Sequence, residues 1–235
     1  MTEKNLTILS SMCDSDWRMR LSNAFITFQD CAMEDAAKLG VGKEETTDKG
    51  LCWVFTRIEV KIERYPLFLE ECKELTNPLD TRVFAFPRQY RIRDKEGHNL
   101  IHFSSLWALI TAKDRKLVFK PTIREIHGCP LEDDMPLPTK TVSKESAFAY
   151  SRTIRHSDID INGHLNNVRY IEAILDVYPT SFFKENEISR FLINFNKEVH
   201  EGEELKLYVS EDKTYVKGEV GGVNSFEANI EFRKR

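Results

Sequence analysis

The chain has 235 residues, of which 41% are hydrophobic and 31% are charged, so it can bury a sizeable core and is not disordered throughout. Its 34 basic and 38 acidic side chains leave a net charge of −4. This balance gives no general attraction to nucleic acid or to an anionic membrane surface, and we expect neither as a partner.

The first half of the chain predicts one helix followed by strands. Apolar residues recur every three or four positions from residue 21 to residue 39, and Gly40 follows as a C-terminal cap. Apolar and charged residues alternate over residues 57–63, which predicts a strand with one buried face. Residues 90–107 predict a hairpin that turns near Gly97.

A connector is predicted in the middle of the chain. It contains half of the eight prolines, namely Pro121, Pro130, Pro136 and Pro138. Proline cannot donate to a sheet ladder and restricts the residue before it. We therefore expect an N-terminal domain at 1–125, a linker at 126–145 and a C-terminal domain at 146–235. The acidic run at 132–134 is expected to be a solvated loop.

The second half repeats this plan. A helical pattern over residues 168–178 is followed by Pro179, which is expected to end the helix. A strand pattern at 191–195 and a hairpin at 214–232, which turns at Gly221-Gly222, come next. A helix followed by antiparallel strands, twice, indicates the α+β class.

A gapless alignment of the two halves places Asp16 opposite Asp160, an offset of 144 residues. In this alignment Leu21-Ser22-Asn23 faces Leu165-Asn166-Asn167. Arg18 and Arg20 then stand where the second half has Asn162 and His164. The alignment predicts that only the second copy carries a full set of functional groups.

The richest polar constellation is Asp160, Asn162 and His164, spaced by two residues. In extended backbone the three side chains would project to one side. A helix is expected to begin at Asn166 or Asn167, where backbone N–H groups can stabilise developing negative charge. The pattern suits a reaction site, although a polar loop with an Asn cap has the same pattern.

The five cysteines are scattered and include no C-x-x-C pair, so neither a disulfide framework nor a zinc cluster is expected. The N-terminus has no signal-peptide pattern, and no run of about 18 apolar residues could span a membrane. We expect a soluble, cytoplasmic protein that binds no metal and no cofactor.

Residues 160–171, DINGHLNNVRYI, resemble the signature D-x-N-x-H-x-N-N-x-x-Y-I of the acyl-acyl-carrier-protein (acyl-ACP) thioesterases. The segments WVFTR at 53–57, RYP at 64–66, RD at 93–94 and SSLW at 104–107 resemble further elements of that family, in the same order. The resemblance runs from about residue 14 to residue 204. It implies a double hotdog, in which two antiparallel sheets each wrap around a long central helix.

The resemblance also implies the site residues. In that family Asp, Asn and His of the signature act with a downstream Glu in a segment like R-R-E-C, whose counterpart here is NKEV at 196–199. Glu198 is therefore the fourth expected catalytic residue, and Tyr65 is its counterpart in the first half, at an offset of 133 residues. Val199 replaces the Cys often found in plant members, which removes a Cys–His mechanism. No G-x-S-x-G elbow is present either.

The implied reaction is hydrolysis of fatty acyl-ACP to free fatty acid and holo-ACP, which terminates fatty acid synthesis. Either Glu198 or Asp160 would activate water, or Asp160 would attack to form an anhydride. Asn162 and His164 would position the reacting groups, and helix N–H groups near Asn166 and Asn167 would stabilise the oxyanion.

Three alternatives stay open: an acyl-CoA thioesterase with the same site, a hydratase of 2-enoyl thioesters, which the spacing of Asp and His makes weaker, and a non-catalytic protein that binds acyl thioesters. The carrier protein is acidic by family implication and needs a basic surface near the site. The nearest basic residues in sequence are Arg152, Arg155, Arg169 and Lys197. Both a monomer and a homodimer are compatible with two hotdogs in one chain.

Overall fold

The computed structural model describes residues 1–118, 123 and 125–235, and Pro121 of the predicted connector lies outside this part. The chain divides into two compact units, Met1–Pro138 and Thr139–Arg235. No helix in the described part is long and apolar enough to cross a membrane. Residues 125–146 contain no helix or strand.

The first unit is an antiparallel sheet packed against one long helix. The described strands lie side by side in the order β1-β3-β4-β5-β2. The elements are β1 (Thr2–Thr7), α1 (Leu21–Lys38), β2 (Leu51–Ile62), β3 (Glu71–Pro78), β4 (Phe86–Arg93) and β5 (Asn99–Thr111). The predicted helix and hairpin are confirmed, and Gly40 follows the helix with a left-handed φ of 72°.

Aromatic side chains hold α1 on the sheet. Phe25 and Phe28 are fully buried, and their ring centroids lie 5.0 and 5.1 Å from that of Phe103 on β5. Phe28 also contacts Tyr90 on β4. Burying one such side chain stabilises a fold by about 1.5–3 kcal/mol, so these residues are the core that fixes the helix.

The acidic run between the connector prolines is a loop, as predicted, but two of its three acids pair with arginines and are not simply solvated. Arg91 of β4 is fully buried, and its guanidinium is paired with both Asp133 and Asp134. Arg93 donates to Asp133 at 2.6 Å. A buried guanidinium requires charged partners, and the acidic run supplies them by packing on the sheet.

The second unit has the same plan with a shorter helix. The described strands lie in the order β7-β10-β9-β8-β6, and each neighbouring pair is antiparallel. Tyr170 packs edge-on against Phe195 and Phe226 in the core. The elements are β6 (Ala147–Thr153), α2 (Asn167–Leu175), α3 (Thr180–Glu185), β7 (Asn186–Phe195), β8 (Glu204–Val209), β9 (Tyr215–Val220) and β10 (Val223–Lys234).

The prediction of a long central helix is right for the first unit and wrong for the second. Helix α2 has 9 residues, against 18 in α1, and it ends before Tyr178. Tyr178 is buried because its ring stacks on Phe182 of α3. Pro179 is the N-cap of α3 rather than the stop signal of α2, since its fixed φ suits the start of a helix.

Candidate active site

The segment predicted to be extended forms a tight turn instead. Ile159 and Leu165 are joined by a β-bridge, and residues 159–165 between and including them are called the Asp160 turn below. The Gly163 N–H donates to the Asp160 carbonyl at 3.1 Å. Gly163 has a φ of +80°, which glycine adopts without a steric penalty. The expected alternation of side chains along this segment is therefore wrong.

The turn nevertheless brings the three signature residues together around the Asp160 carboxylate. Asp160 Oδ1 accepts the Asn162 N–H at 2.8 Å and the His164 N–H at 3.4 Å. Asp160 Oδ2 lies 3.4 Å from Asn162 Nδ2. A carboxylate that accepts the N–H two residues on is a common way to stabilise a turn. Asp160 is thus the centre of the turn, and the other two residues are arranged around it.

Glu198 reaches this turn from a separate segment. His164 Nε2 lies 3.3 Å from Glu198 Oε2, and the two side chains are 16% and 32% exposed. The Leu165 N–H donates to the Val199 carbonyl at 2.8 Å, which fixes the Glu198 segment beside the turn. A half-buried imidazole–carboxylate pair of this kind can take up and pass on a proton.

One residue at the site, His200, is not among the residues predicted from the sequence. The His200 ring lies edge-to-face on the His164 ring with centroids 4.9 Å apart. Its backbone N–H donates to Glu203 at 2.7 Å. The spacing of two residues between Glu198 and His200 is the signal that could have indicated it.

Helix α2 begins where the sequence predicts. Asn166 is the N-cap, and its side-chain oxygen accepts the Val168 N–H at 2.9 Å. The Asn166 N–H donates to the Asp158 carbonyl at 2.9 Å. The oxyanion role expected of the helix start at Asn166 and Asn167 stays a prediction.

Two of the basic residues near the site are paired with acids. Arg152 donates to Asp158 at 2.6 Å, and Arg169 lies 3.8 Å from the same carboxylate while it also bonds an acid on its own helix. Arg155 and Lys197 are exposed. The carboxylates that pair with Arg152 and Arg169 therefore offset part of the positive charge of the four basic residues.

The first unit contains a turn with the same backbone hydrogen bonds. Residues 13–19, called the Asp14 turn below, are closed by a β-bridge between Cys13 and Met19. Asp14 Oδ1 accepts the Asp16 N–H at 2.9 Å and the Arg18 N–H at 3.0 Å. The Asp14 N–H donates to the Arg18 carbonyl, and the Asp160 N–H donates to the His164 carbonyl, both at 2.8 Å. The two turns are therefore structural repeats.

This match corrects the predicted alignment. Asp14, not Asp16, is the counterpart of Asp160, so the offset is 146 residues rather than 144. The gapless alignment followed a short resemblance of residue types, whereas the hydrogen bonds define the backbone positions. Arg18 is then the counterpart of His164, and Asp16 that of Asn162.

The offset of 133 residues proposed for Glu198 agrees with the structure. The Met19 N–H donates to the Pro66 carbonyl at 2.8 Å, as the Leu165 N–H does to Val199. Tyr65 therefore stands at the position of Glu198. The guanidinium of Arg18 lies over the Tyr65 ring, 4.8 Å from its centroid. A cation on an aromatic ring thus replaces the imidazole–carboxylate pair.

The first unit also holds a partly open apolar pocket. Its wall is mostly aromatic and small apolar side chains, including Trp53, Phe86, Trp107, Ala32 and Ala36. Phe25 and Phe28 of α1 belong to the core and are not part of this lining. An apolar lining of this kind matches the chemistry of an alkyl chain.

Among the described residues, one group of three side chains carries atoms of the kind that bind metal ions. It is remote in sequence from the Asp160 turn. Asp94, Glu96 and His98 have ligand-type atoms within 4.8 Å of one another in the turn between β4 and β5. The Asp94 carboxylate accepts the His98 backbone N–H at 2.8 Å and contacts its ring at 3.2 Å. These bonds are explained by the turn itself.

Comparison with known proteins gives a consistent result. The N-terminal domain of the acyl-ACP thioesterase family matches residues 1–124, and its C-terminal domain matches residues 141–234. The chain is 28% identical over 190 residues to dodecanoyl-[acyl-carrier-protein] hydrolase, chloroplastic, from Cinnamomum camphora, which covers 72% of the chain and 49% of that protein. It is 26% identical over 213 residues to palmitoyl-acyl carrier protein thioesterase, chloroplastic, from Arabidopsis thaliana, covering 83% and 51%. The chain spans about half the length of the curated relatives it matches.

Solved structures show the same fold. An acyl-ACP thioesterase from Bacteroides thetaiotaomicron superposes with a TM-score of 0.85 at 24% identity, over 99% of this chain and 97% of that one. The 12:0-ACP thioesterase from Umbellularia californica superposes with a TM-score of 0.80 at 21% identity, over 100% and 97%. The double hotdog expected from the sequence is confirmed.

Proposed function

Since the chain belongs to the acyl-ACP thioesterase family, we propose that it hydrolyses fatty acyl-ACP to free fatty acid and holo-ACP and so terminates fatty acid synthesis. The observation that carries this proposal is the pair formed by His164 and Glu198, 3.3 Å apart beside the Asp160 turn. Binding alone would not require such a pair, whereas hydrolysis requires a group that accepts a proton from water.

In the reaction we propose, Glu198 accepts a proton from water as the water oxygen attacks the thioester carbonyl carbon. The carbonyl then becomes an oxyanion, which backbone N–H groups near the start of α2 stabilise. When the carbon–sulfur bond breaks, the proton passes through His164 to the leaving sulfur. The products are the fatty acid and the free thiol of the carrier protein.

Asp160 has a different role in this scheme. Its Oδ1 already accepts two backbone N–H groups and its Oδ2 faces the amide of Asn162, so it holds the turn in shape. This arrangement favours the water route over attack by Asp160 itself. Asp160→Asn keeps an oxygen for the backbone bonds. Retention of a tenth or more of the rate in this variant supports the water route, whereas complete loss combined with residual activity in Glu198→Gln supports the anhydride.

The pocket of the first unit is the candidate site for the acyl chain. Its lining is apolar apart from Thr81 and Arg88, and the Arg88 guanidinium donates to the buried Asp35 at 2.7 Å. Displacing this ion pair from the pocket wall would cost free energy, because separating the two charges would leave them buried and unpaired. An alkyl chain is therefore not expected to push the pair aside. We propose that this pair limits how far an acyl chain can extend.

We propose acyl carrier protein as the partner, on the family membership and the names of the relatives above. Arg155 and Lys197 are exposed on the unit that carries the Asp160 turn and are candidates for contact with an acidic partner. A reducing compartment such as the cytoplasm fits the cysteines, since all five are free and four are buried.

The test of the proposal is release of free thiol from acyl-ACP and acyl-CoA substrates with matched chains from short to long. We expect a higher kcat/KM with acyl-ACP than with acyl-CoA. Equal or higher values with acyl-CoA would assign the same site to acyl-CoA hydrolysis. Binding of acyl-ACP without thiol release would show a non-catalytic protein.

A further inference from the structure

A buried carboxylate stands directly before the Asp160 turn and takes no part in the proposed chemistry. Asp158 is 5% exposed. Its Oδ1 accepts a hydrogen bond from Arg152 at 2.6 Å and lies 3.8 Å from Arg169, and its Oδ2 accepts the Arg155 N–H at 3.0 Å. Through these contacts Asp158 connects strand β6 to the first turn of helix α2.

The base of the Asp160 turn is attached to the same residue. The Asp158 carbonyl accepts the Asn166 N–H at 2.9 Å, and the next residues inward, Ile159 and Leu165, form the β-bridge. Asp158 and Asn166 are therefore the two ends of the loop that carries the signature residues. A shift of Asp158 would move both ends of this loop.

In the first unit, the residue at the position of Asp158 is uncharged. Met12 stands at the position of Asp158, and its sulfur accepts the Leu9 N–H at 3.5 Å, as a carboxylate oxygen does in the second unit. Leu6 stands at the position of Arg152. Because the same backbone forms around apolar side chains, folding of this region does not require the buried ion pair. Replacing such a pair by apolar residues of similar size is often neutral or stabilising.

The carboxylate is charged at neutral pH. Burial alone would raise the pKa of Asp158, but hydrogen bonds from the Arg155 N–H and from Arg152 outweigh this and hold the pKa below its usual value. Hydrogen bonds to a charged group are shorter and stronger than those between neutral groups, so they restrict motion more than a thioether contact does.

On the basis of the proposed thioester hydrolysis, we propose that Asp158 is a positioning residue, which holds both ends of the Asp160 turn so that His164 meets Glu198 and the substrate with the required geometry. A displacement of about 1 Å at a reacting group can lower a rate by about 10²-fold. The buried ion pair is then retained for geometry and not for stability.

The test replaces the charged pair of the second unit by the apolar residues that stand at the same positions in the first unit. Asp158→Met and the double variant Arg152→Leu/Asp158→Met copy Met12 and Leu6. We expect the double variant to keep or raise the Tm, while kcat on acyl-ACP falls by about 10- to 100-fold and KM changes by less than about threefold. A residue with only a structural role would lower kcat in step with Tm, and a folded variant with wild-type kcat would overturn the proposal.

A second measurement does not depend on activity. Amide hydrogen exchange of Asn162 and Asn166 is expected to become at least about tenfold faster in the double variant, because their acceptors are then held less firmly. The Asp16 and Arg20 amides, which are their counterparts in the first unit, serve as the control and should not change. Unchanged exchange at Asn162 and Asn166 would overturn the proposal. If the wild-type protein releases no thiol, the proposed function fails, while the exchange result still decides the role of Asp158.

Discussion

The Asp14 and Asp160 turns share their backbone hydrogen bonds, their β-bridge and their place before a helix, but they differ in the side chains they present. The Asp14 turn presents Arg18 over Tyr65, and the Asp160 turn presents His164 beside Glu198. The shared part is what the fold requires. The part found only in the second unit is what we assign to catalysis.

The largest effect should come from giving the Asp160 turn the side chain of the Asp14 turn. His164→Arg keeps the backbone N–H that donates to Asp160, but it removes the imidazole that contacts Glu198. We expect thiol release to fall by about 10²- to 10⁴-fold, the usual contribution of a positioned acid–base group. Arg18→His is the matched control, and acyl-ACP hydrolysis by this variant should match the wild type. A large loss in the control would break the comparison.

A second prediction concerns stability, since the first unit buries a histidine away from its turn. Burial, and then the charge of Arg91, lower the pKa of His102 to about 3. Between pH 6.5 and about 3 the unfolded chain binds a proton that the folded chain does not. Stability therefore falls as the pH is lowered, by about 1.4 kcal/mol per pH unit from this residue.

The measurement is urea unfolding at pH 7 and pH 5, followed by tryptophan fluorescence, which reports the first unit because Trp17, Trp53 and Trp107 all lie in it. We expect His102→Gln to remove about 2 kcal/mol of the difference between the two pH values. His98→Gln changes an exposed histidine and should leave the difference unaltered. An equal effect of the two variants would contradict the assignment.

A third prediction separates chain binding from catalysis. Ala36 lies in the wall of the first unit's pocket, and Ala36→Phe adds a ring there. We expect kcat/KM to fall by about tenfold for the longest acyl chains, because overfilling a packed site costs about 1–3 kcal/mol. The shortest chains are the internal control and should be hydrolysed at the wild-type rate. A uniform loss for all chain lengths would remove the pocket from substrate binding.

The smallest effect is expected at the left-handed position of the turns, which is Gly163 in one unit and Trp17 in the other. A Cβ on Gly163 meets no atom within 4 Å, so Gly163→Ala tests backbone strain alone. We expect the free energy of unfolding of the second unit to fall by about 1 kcal/mol. An unchanged value would show that this turn relaxes to another conformation.

The parts of the fold with strong periodicity could be predicted from the sequence. Helix α1 and both hairpins follow from apolar spacing and turn glycines. The register between the repeats could not be predicted, since it is defined by hydrogen bonds such as Asp14 Oδ1 to Arg18 N–H and not by residue identity. The burial of Arg91 could not be predicted either, because its acidic partners lie about 40 residues further along the chain.

The candidate site was predictable as a set of residues but not as a geometry. Spacing by two suggested an extended strand, whereas Gly163 permits a turn in which Asp160 bonds its neighbours. The contact between His164 and Glu198 depends on two segments that only the fold brings together. The spacing of two residues could have linked His200 to Glu198, but only the fold shows that its ring lies on the His164 ring.

The most direct test compares Glu198→Gln with Tyr65→Phe, the same structural position in the two units. Each substitution keeps the size of the side chain and removes one functional group. Thiol release from acyl-ACP should fall by about 10³-fold in Glu198→Gln with an unchanged Tm, and Tyr65→Phe should hydrolyse acyl-ACP at the wild-type rate. Wild-type turnover in Glu198→Gln, or an equal loss in both variants, would contradict the assignment of catalysis to the second unit alone.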